Sequence, residues 1–158
     1  MKETSIRFSD QMVRAILDGR KTQTRRIVEP QPEDNTDCSY LVGIGENRKA
    51  RVCPYGVPGD RLKVEGSGIM LKIVGTRIER LQTISEESAV CEGVVPYAIY
   101  GGDVVSWKAS SNSIAIRTTA KIAFADLWDH LCSKSPGASW ADNPWVWTIN
   151  FRRTSAPL

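Results

Sequence analysis

The sequence lacks several features that would assign it to a specialised class of protein. No run approaches the roughly 20 apolar residues of a membrane-spanning helix, and residues 1–4 do not lead into the apolar stretch of a signal peptide. There is a single histidine, and the four cysteines (Cys38, Cys53, Cys91 and Cys132) are widely spaced without a Cys-x-x-Cys pair. We therefore expect a cytoplasmic protein with reduced, mostly structural thiols, and we predict no metal and no cofactor.

What the sequence does contain is typical of a globular domain. Its 158 residues are 41% hydrophobic and 25% charged, which suits one domain, over residues 1–158, with one hydrophobic core. The net charge of +3 permits a nucleotide or RNA partner without requiring one. The placement of the basic residues says more than their total, because Arg14 and the four cations of the octapeptide Gly19–Arg26 lie close together.

Hydrophobic periodicity predicts many strands and three short helices. Strands are expected at 4–8, 61–64, 69–81, 104–107, 114–117 and 145–153, and helices at 9–18, 83–92 and 124–132. The middle helix is expected to begin with a capping box over 83–86, and residues 29–49 are expected to form a polar loop. Because no regular βαβ rhythm appears, we predict an α+β fold built on a small, mostly antiparallel β-barrel.

The octapeptide Gly19–Arg26 follows the first predicted helix and combines cations with hydroxyl groups. Lys21 and Thr24 are three residues apart, so a turn would place them on one side of the backbone and an extended strand on opposite faces. An amine beside a hydroxyl can support nucleophilic chemistry, and arginines can hold an anion such as a phosphate.

The octapeptide also resembles the Gly-x-Lys-x-x-Thr-x-Arg signature of the ASCH domain family. Three further segments resemble that family in the same order along the chain: 58–62, 80–93 and 143–151. The last of these is similar to the closing strand of phage and prophage members. The resemblance runs from about residue 6 to residue 153, but the segment 94–120 has no counterpart in the family's small amidohydrolases.

This resemblance implies a PUA-like β-barrel with a cleft that accepts RNA or a modified nucleoside. Some small family members remove the acetyl group from N4-acetylcytidine, and others are ribonucleases. In the amidohydrolase branch, the catalytic positions fall on Lys21, Thr24 and Glu92. Thr24 would be the nucleophile and Lys21 its base, while Glu92 would be the acid for the leaving amine or would orient Lys21.

The charge state of Lys21 is open at the level of sequence. A lysine acts as a base only when its amine is neutral, and the nearby cations Arg20, Arg25 and Arg26 favour the neutral form. A close carboxylate from Glu92 would favour the charged form instead. The alternative is that Lys21 is a solvated surface lysine and Glu92 an exposed helix residue.

The resemblance makes Arg20, Arg25 and Arg26 candidates for binding a nucleotide or RNA. For Arg25 and Arg26, the alternative is a surface ion pair with Glu29 or Asp34, which would contribute little to stability.

Aromatic residues give two further expectations. Tyr55 lies in a cluster of turn residues from which it can reach the mouth of a cleft. Trp145, Trp147 and Phe151 alternate along the last predicted strand, and such a stripe indicates core packing more often than base stacking.

The sequence and the resemblance together give three candidate functions. The first is an RNA- or nucleotide-binding ASCH-type protein that hydrolyses N4-acylated cytidine. The second is a non-catalytic RNA-binding module, or a phage accessory protein whose site has degenerated. The third, drawn from the resemblance alone, is a ribonuclease.

Overall fold

The computed structural model of the chain describes residues 1–32, 52–132 and 134–154. Its strands are β1 (Glu3–Ile6), β2 (Gln23–Ile27), β3 (Arg61–Val64), β4 (Met70–Arg80), β5 (Val95–Tyr100), β6 (Asp103–Lys108) and β7 (Trp145–Arg153). Its α-helices are α1 (Asp10–Leu17), α2 (Glu86–Cys91) and α3 (Ala120–Cys132), and a 3-10 turn (Leu81–Thr83) precedes α2. The α+β class with three short helices is confirmed. The predicted loop at 29–49 lies largely outside the described residues.

The strands form two sheets in the described part of the chain. The larger has the order β1-β3-β4-β7-β2, and β5 pairs with β6 in the smaller. β1 and β3 are parallel, whereas β3/β4, β2/β7 and β5/β6 are antiparallel. The mostly antiparallel character is as expected. Closure of the larger sheet into a PUA-like barrel stays a prediction.

The chain divides into two compact units. The sheet unit contains Met1–Ser9, Gln23–Glu79 and Trp145–Leu158, and the helical unit contains Asp10–Thr22 and Arg80–Pro144. Apolar side chains of β3, β4 and β7 form the core of the sheet unit: Leu62, Val64, Leu71, Ile73, Val146 and Ile149. Apolar side chains of α2, α3 and the segments before and after α2 form that of the helical unit: Leu81, Ile84, Ala89, Val94, Ala123 and Phe124.

Two local predictions need correction. The cap of α2 is Ser85, whose Oγ accepts a hydrogen bond from Ser88 N at 3.1 Å, and Thr83 Oγ1 instead donates to Arg80 O within the 3-10 turn. The predicted strand at 114–117 is a single bridge between Trp107 and Arg117.

The hairpin of β5 and β6 includes a strand that the periodicity did not predict. Gly101 and Gly102 have φ of +60° and +89° and connect the two strands, as a Gly-Gly pair between strands favours. The pairing is irregular near Pro96 and Ala98, because proline has no N–H to donate to a sheet. That irregularity explains why β5 lacks a clear alternating pattern.

The N-terminus of α3 has partners for all of its first N–H groups. The Glu86 carboxylate accepts from Ala120 N and Lys121 N, each at 2.9 Å. Thr119 supplies its Oγ1 to Ile122 N and its carbonyl to Ala123 N. Helix N–H groups that lack acceptors reduce stability. By accepting from two of them, Glu86 stabilises the start of α3 and links it to α2.

We predict that Glu86→Ala lowers the free energy of unfolding by about 1–2 kcal/mol, because it leaves two helix N–H groups without their acceptor. Urea denaturation of the full chain measures the loss. Glu87→Ala is the matched control, since Glu87 is the exposed neighbour in the same turn and should change the value by less than about 0.5 kcal/mol. Equal losses in both variants would contradict the capping role.

Candidate functional site

Lys21 is placed by the end of α1. The helix stops at Gly19, whose φ of +78° is left-handed and favours glycine. Beyond it, Arg20 N and Lys21 N both donate to Ala15 O, at 2.9 and 3.0 Å. These bonds fold the chain back over the last turn of α1, so the octapeptide begins as a turn. A turn is one of the two conformations, turn or extended strand, that the sequence left open.

Glu92 is placed in the same way by the end of α2. It is the C-cap residue, with its N–H donating to Ser88 O at 3.1 Å, and Gly93 follows with φ of +98°. A Cβ atom at position 93 would lie 3.3 Å from both Ala15 Cβ and Lys21 Cβ. Glycine therefore permits the close approach of Lys21 to the end of α2.

Lys21 and Glu92 form a buried ion pair within the helical unit. Lys21 Nζ donates to Glu92 O at 2.8 Å and lies 3.1 Å from Glu92 Oε2. Their side chains are 0% and 4% exposed. The alternatives of a solvated Lys21 and an exposed Glu92 are therefore wrong.

Neighbouring residues of the octapeptide add donors to the same helix end. Thr22 N donates to Cys91 O at 2.9 Å, and Arg20 Nη1 donates to Gly93 O at 3.3 Å. Arg20 Nη2 also lies 3.5 Å from Asp18 Oδ2. Since the last carbonyls of a helix have no partner within it, these contacts stabilise the end of α2.

Thr24 belongs to the sheet unit. It lies in β2 opposite Ile149 of β7 and is 4% exposed. Its predicted role as nucleophile stays a prediction.

Arg25 lies at the centre of a polar network in the sheet unit. Its Nη1 donates to Gln23 Oε1, and its Nη2 donates to Glu79 Oε1 at 2.6 Å. Gln23 Nε2 in turn donates to Asn150 Oδ1, and Thr148 Oγ1 donates to Glu79 Oε1. The acidic partner of Arg25 is thus Glu79, which sequence reasoning missed. The available signal was the polar pair Thr148 and Asn150 within the apolar strand β7.

The charge of Glu79 is maintained by its arginine neighbours. Burial raises the pKa of this carboxyl, but the hydrogen bond and charge of Arg25, with those of Arg77, outweigh burial and hold the pKa below its usual value of 4.5. Arg77 Nε lies 3.1 Å from Glu79 Oε2. The network therefore contains a carboxylate that stays ionised at neutral pH.

Arg26 has surroundings that differ from those of Arg25. Its guanidinium carbon lies 5.3 Å from the ring centre of Phe8 and 5.9 Å from that of Tyr55. Its Nη2 donates to Arg7 O at 2.8 Å. Of the sequence-predicted binding residues, Arg26 and Tyr55 are thus brought together. A role for them, or for Arg20 and Arg25, in binding RNA stays a prediction.

The aromatic residues of β7 pack in the core. Trp145, Trp147 and Phe151 are 7%, 6% and 3% exposed, which confirms the core interpretation.

Comparison with solved structures identifies the fold. An ASCH domain from Lactobacillus crispatus JV V101 aligns with 96% of this chain and 79% of its own, with a TM-score of 0.51 and 16% identity. The chain has an ASCH-type fold. The hypothetical protein PH0355 shares it at a TM-score of 0.50 and 13% identity, with 98% of this chain and all of that one covered.

A third similar structure, protein EF3133 from Enterococcus faecalis V583, has a TM-score of 0.50 and 12% identity over 98% of this chain and 80% of its own. No family model and no curated protein matches the sequence. At these identities the likeness concerns the ASCH-type fold alone.

Two further properties concern the described ranges only. They contain no group of three His, Cys, Asp or Glu side chains placed to hold a metal ion. None of their helices has the length and apolar character needed to cross a membrane.

We predict that Lys21→Met lowers the free energy of unfolding by about 3–5 kcal/mol, because it leaves the buried Glu92 carboxylate without its counter-charge. The double variant Lys21→Met/Glu92→Leu should recover much of this loss, since neither charge is then buried. A double-mutant cycle by urea denaturation, with Glu92→Leu as the second single variant, measures the coupling. Strictly additive effects would show that the two groups do not act as a pair.

A second prediction concerns the pH dependence of stability. Because the pKa of Glu79 is lowered in the folded protein, its contribution is complete above the usual value of 4.5 and lost as the pH falls through the lower folded value. Glu79→Gln should therefore be less stable than the natural chain near neutral pH and should lose less stability on acidification. Unfolding free energies across a pH series test this. Glu87→Gln, an exposed control, should follow the natural profile, and an unchanged profile in Glu79→Gln would contradict the expectation.

Proposed function

We propose that this protein binds RNA or a modified nucleoside and removes the acyl group from N4-acylated cytidine. Thr24 is the nucleophile, Lys21 its base, and Glu92 the acid for the leaving amine. The observation that carries the proposal is the buried ion pair of Lys21 and Glu92, with Nζ and Oε2 3.1 Å apart. The ASCH-type fold, with its expected PUA-like barrel, supports the RNA-binding part.

A buried ion pair is expensive to maintain. Removing both charges from water costs several kcal/mol per ion, and apolar residues of similar size often replace such a pair without loss of stability. Closing the end of α2 needs donors for its carbonyls, which Lys21 supplies, but it does not need the Glu92 carboxylate. Ionisable pairs kept in such a setting are candidates for proton transfer.

The pair holds one exchangeable proton that either partner can carry. When the proton moves from the amine to the carboxylate, Lys21 becomes a neutral base and Glu92 a neutral acid. One protonation state of the pair therefore contains both groups that acyl transfer from an amine requires.

The first half of the reaction forms an acyl-enzyme. Thr24 Oγ1 attacks the acyl carbonyl carbon while its proton passes to the Lys21 amine. The bond from the carbonyl carbon to N4 then breaks, and N4 takes the proton of Glu92, so cytidine leaves with its amino group restored. The pair is left as ammonium and carboxylate.

The second half hydrolyses the acyl-threonine. Water attacks the ester carbonyl and gives its proton to the Glu92 carboxylate. Thr24 leaves as a hydroxyl by taking a proton from the Lys21 ammonium, which restores the starting state and releases the free acid. Lys21 and Thr24 are close along the chain, since three residues span at most about 10 Å.

A non-catalytic RNA-binding module is the second candidate. Lys21, Thr22 and Arg20 all donate to carbonyls at the end of α2, and a structural role for the octapeptide would account for those contacts. This alternative predicts binding without turnover.

The test is release of cytidine from N4-acetylcytidine by the purified full chain, followed by liquid chromatography. We expect turnover that falls by about 100-fold or more in Thr24→Ala, Lys21→Met and Glu92→Gln, because each removes a proton-transfer or nucleophilic group. Thr22→Ala is the matched control, since it removes an exposed hydroxyl two residues away and should retain activity.

Two outcomes would overturn the catalytic proposal. One is the absence of turnover by the natural chain, and the other is turnover that survives Thr24→Ala and Lys21→Met. RNA binding measured at low and high salt separates the second candidate, because contacts to phosphates weaken as the salt concentration rises.

A further inference from the structure

The sheet unit contains a cavity of about 460 Å³. Its walls include Arg26, Val28 and Glu29 from β2 and the residues that follow it, Pro54 and Tyr55 from the turn before β3, and Trp147 from β7. The volume is within the range of small-molecule sites, about 300–1,000 Å³, and a single nucleobase with its sugar fits within it.

Arg26 presents a cation that the described residues do not neutralise. In that part of the chain its only hydrogen bond is the one from Nη2 to the carbonyl of Arg7, and its Nε is buried without an acceptor. The adjacent Arg25, by contrast, is matched by Glu79 at 2.6 Å. Since a guanidinium has five N–H donors, Arg26 has donors to offer to a ligand with oxygen or ring-nitrogen acceptors.

The position of that cation is fixed by aromatic rings. Phe8 and Tyr55 have ring centres 5.3 and 5.9 Å from the guanidinium carbon, within the range of cation–π attraction. Tyr55 and Trp147 also give the cavity two aromatic walls. A planar ligand can stack on such surfaces, as unpaired bases do on aromatic and arginine side chains in RNA-binding proteins.

Glu29 supplies a negative charge that complements the Arg26 cation. Glu29 lines the same cavity as Arg26, and carboxylates accept hydrogen bonds from the exocyclic amino group of cytosine. Arginine, in turn, donates to the oxygen and ring nitrogen of a base edge. A cation, a carboxylate and two aromatic rings together match a planar base that carries both a carbonyl oxygen and an amino group.

We infer that this cavity binds one unpaired cytosine or guanine base, stacked on Tyr55 and held at its polar edge by Arg26 and Glu29. The inference rests on the RNA-binding part of the proposed function and is independent of hydrolysis at Lys21. The base belongs either to an RNA strand or to a free nucleotide.

Labelled RNA octamers of uridine with one central C, G, A or U measure the preference by fluorescence polarisation. We expect the C or G octamer to bind about 10-fold more tightly than the all-uridine strand, as one stacked and hydrogen-bonded base allows. Tyr55→Ala should remove this advantage and Tyr55→Phe should keep it, because stacking needs the ring and not the hydroxyl. Arg26→Lys and Glu29→Gln should weaken the C or G preference, because each removes or alters a hydrogen-bonding group at the polar edge of the base.

Lys108 and Tyr97 provide the matched control. They form a second cation–π pair, with Nζ 4.4 Å from the ring centre, but they belong to the helical unit and do not line the cavity. Tyr97→Ala should bind all four octamers as the natural chain does. Thermal unfolding of every variant checks that the fold is intact, and the conservative Tyr55→Phe keeps the test decisive if Tyr55→Ala is unstable.

Calorimetry with cytidine and guanosine monophosphates distinguishes the two sources of the base. Affinity equal to that of the octamer supports a free nucleotide, and much weaker affinity supports a strand. RNA binding without a preference for C or G, or with a preference that survives Tyr55→Ala and Arg26→Lys, would overturn the inference alone. Absence of any RNA or nucleotide binding would overturn the RNA-binding proposal with it, whereas loss of deacetylation would leave both intact.

Discussion

The end of α2 is the constraint on which the candidate chemistry depends. The helix has only six residues, so most of its carbonyls lack partners within it. Donors from the octapeptide meet this need: Lys21 Nζ, Thr22 N and Arg20 Nη1 each donate to a carbonyl of residues 91–93. The Lys21 amine is therefore held in place by the same bonds that stabilise the helix end.

Lys21 contacts two groups of Glu92, the backbone carbonyl and the side-chain carboxylate, and their effects differ. The bond to the Glu92 carbonyl closes the helix and would be equally available beside an apolar side chain at position 92. The carboxylate adds a second charge to a site where Lys21 is 0% exposed, which increases the desolvation cost. Helix closure thus accounts for the lysine but not for the glutamate, which is why the proposed proton transfer is assigned to the pair and not to the lysine alone.

Local patterns predicted the elements that local forces determine. The alternation in β7 and the apolar face of α1 gave those elements to within a residue or two, whereas the irregular β5, with Pro96, has no such pattern. The site could not be derived in this way, because Lys21 and Glu92 are 71 residues apart. Only the family resemblance paired them.

The two arginines of β2 illustrate the same limit. From the sequence, Arg25 and Arg26 are equally good candidates for holding an anion. In a strand, however, successive side chains point to opposite faces. Arg25 shares its face with Gln23 and meets Glu79 from a position 54 residues away, while Arg26 faces Phe8 and Tyr55. The carboxylate on one face satisfies the first guanidinium, and the aromatic rings on the other orient the second without neutralising it. Among the described residues only the second lacks an acidic partner, so the pleat of one short strand separates a cation that is matched within the fold from the one that we propose to bind a ligand.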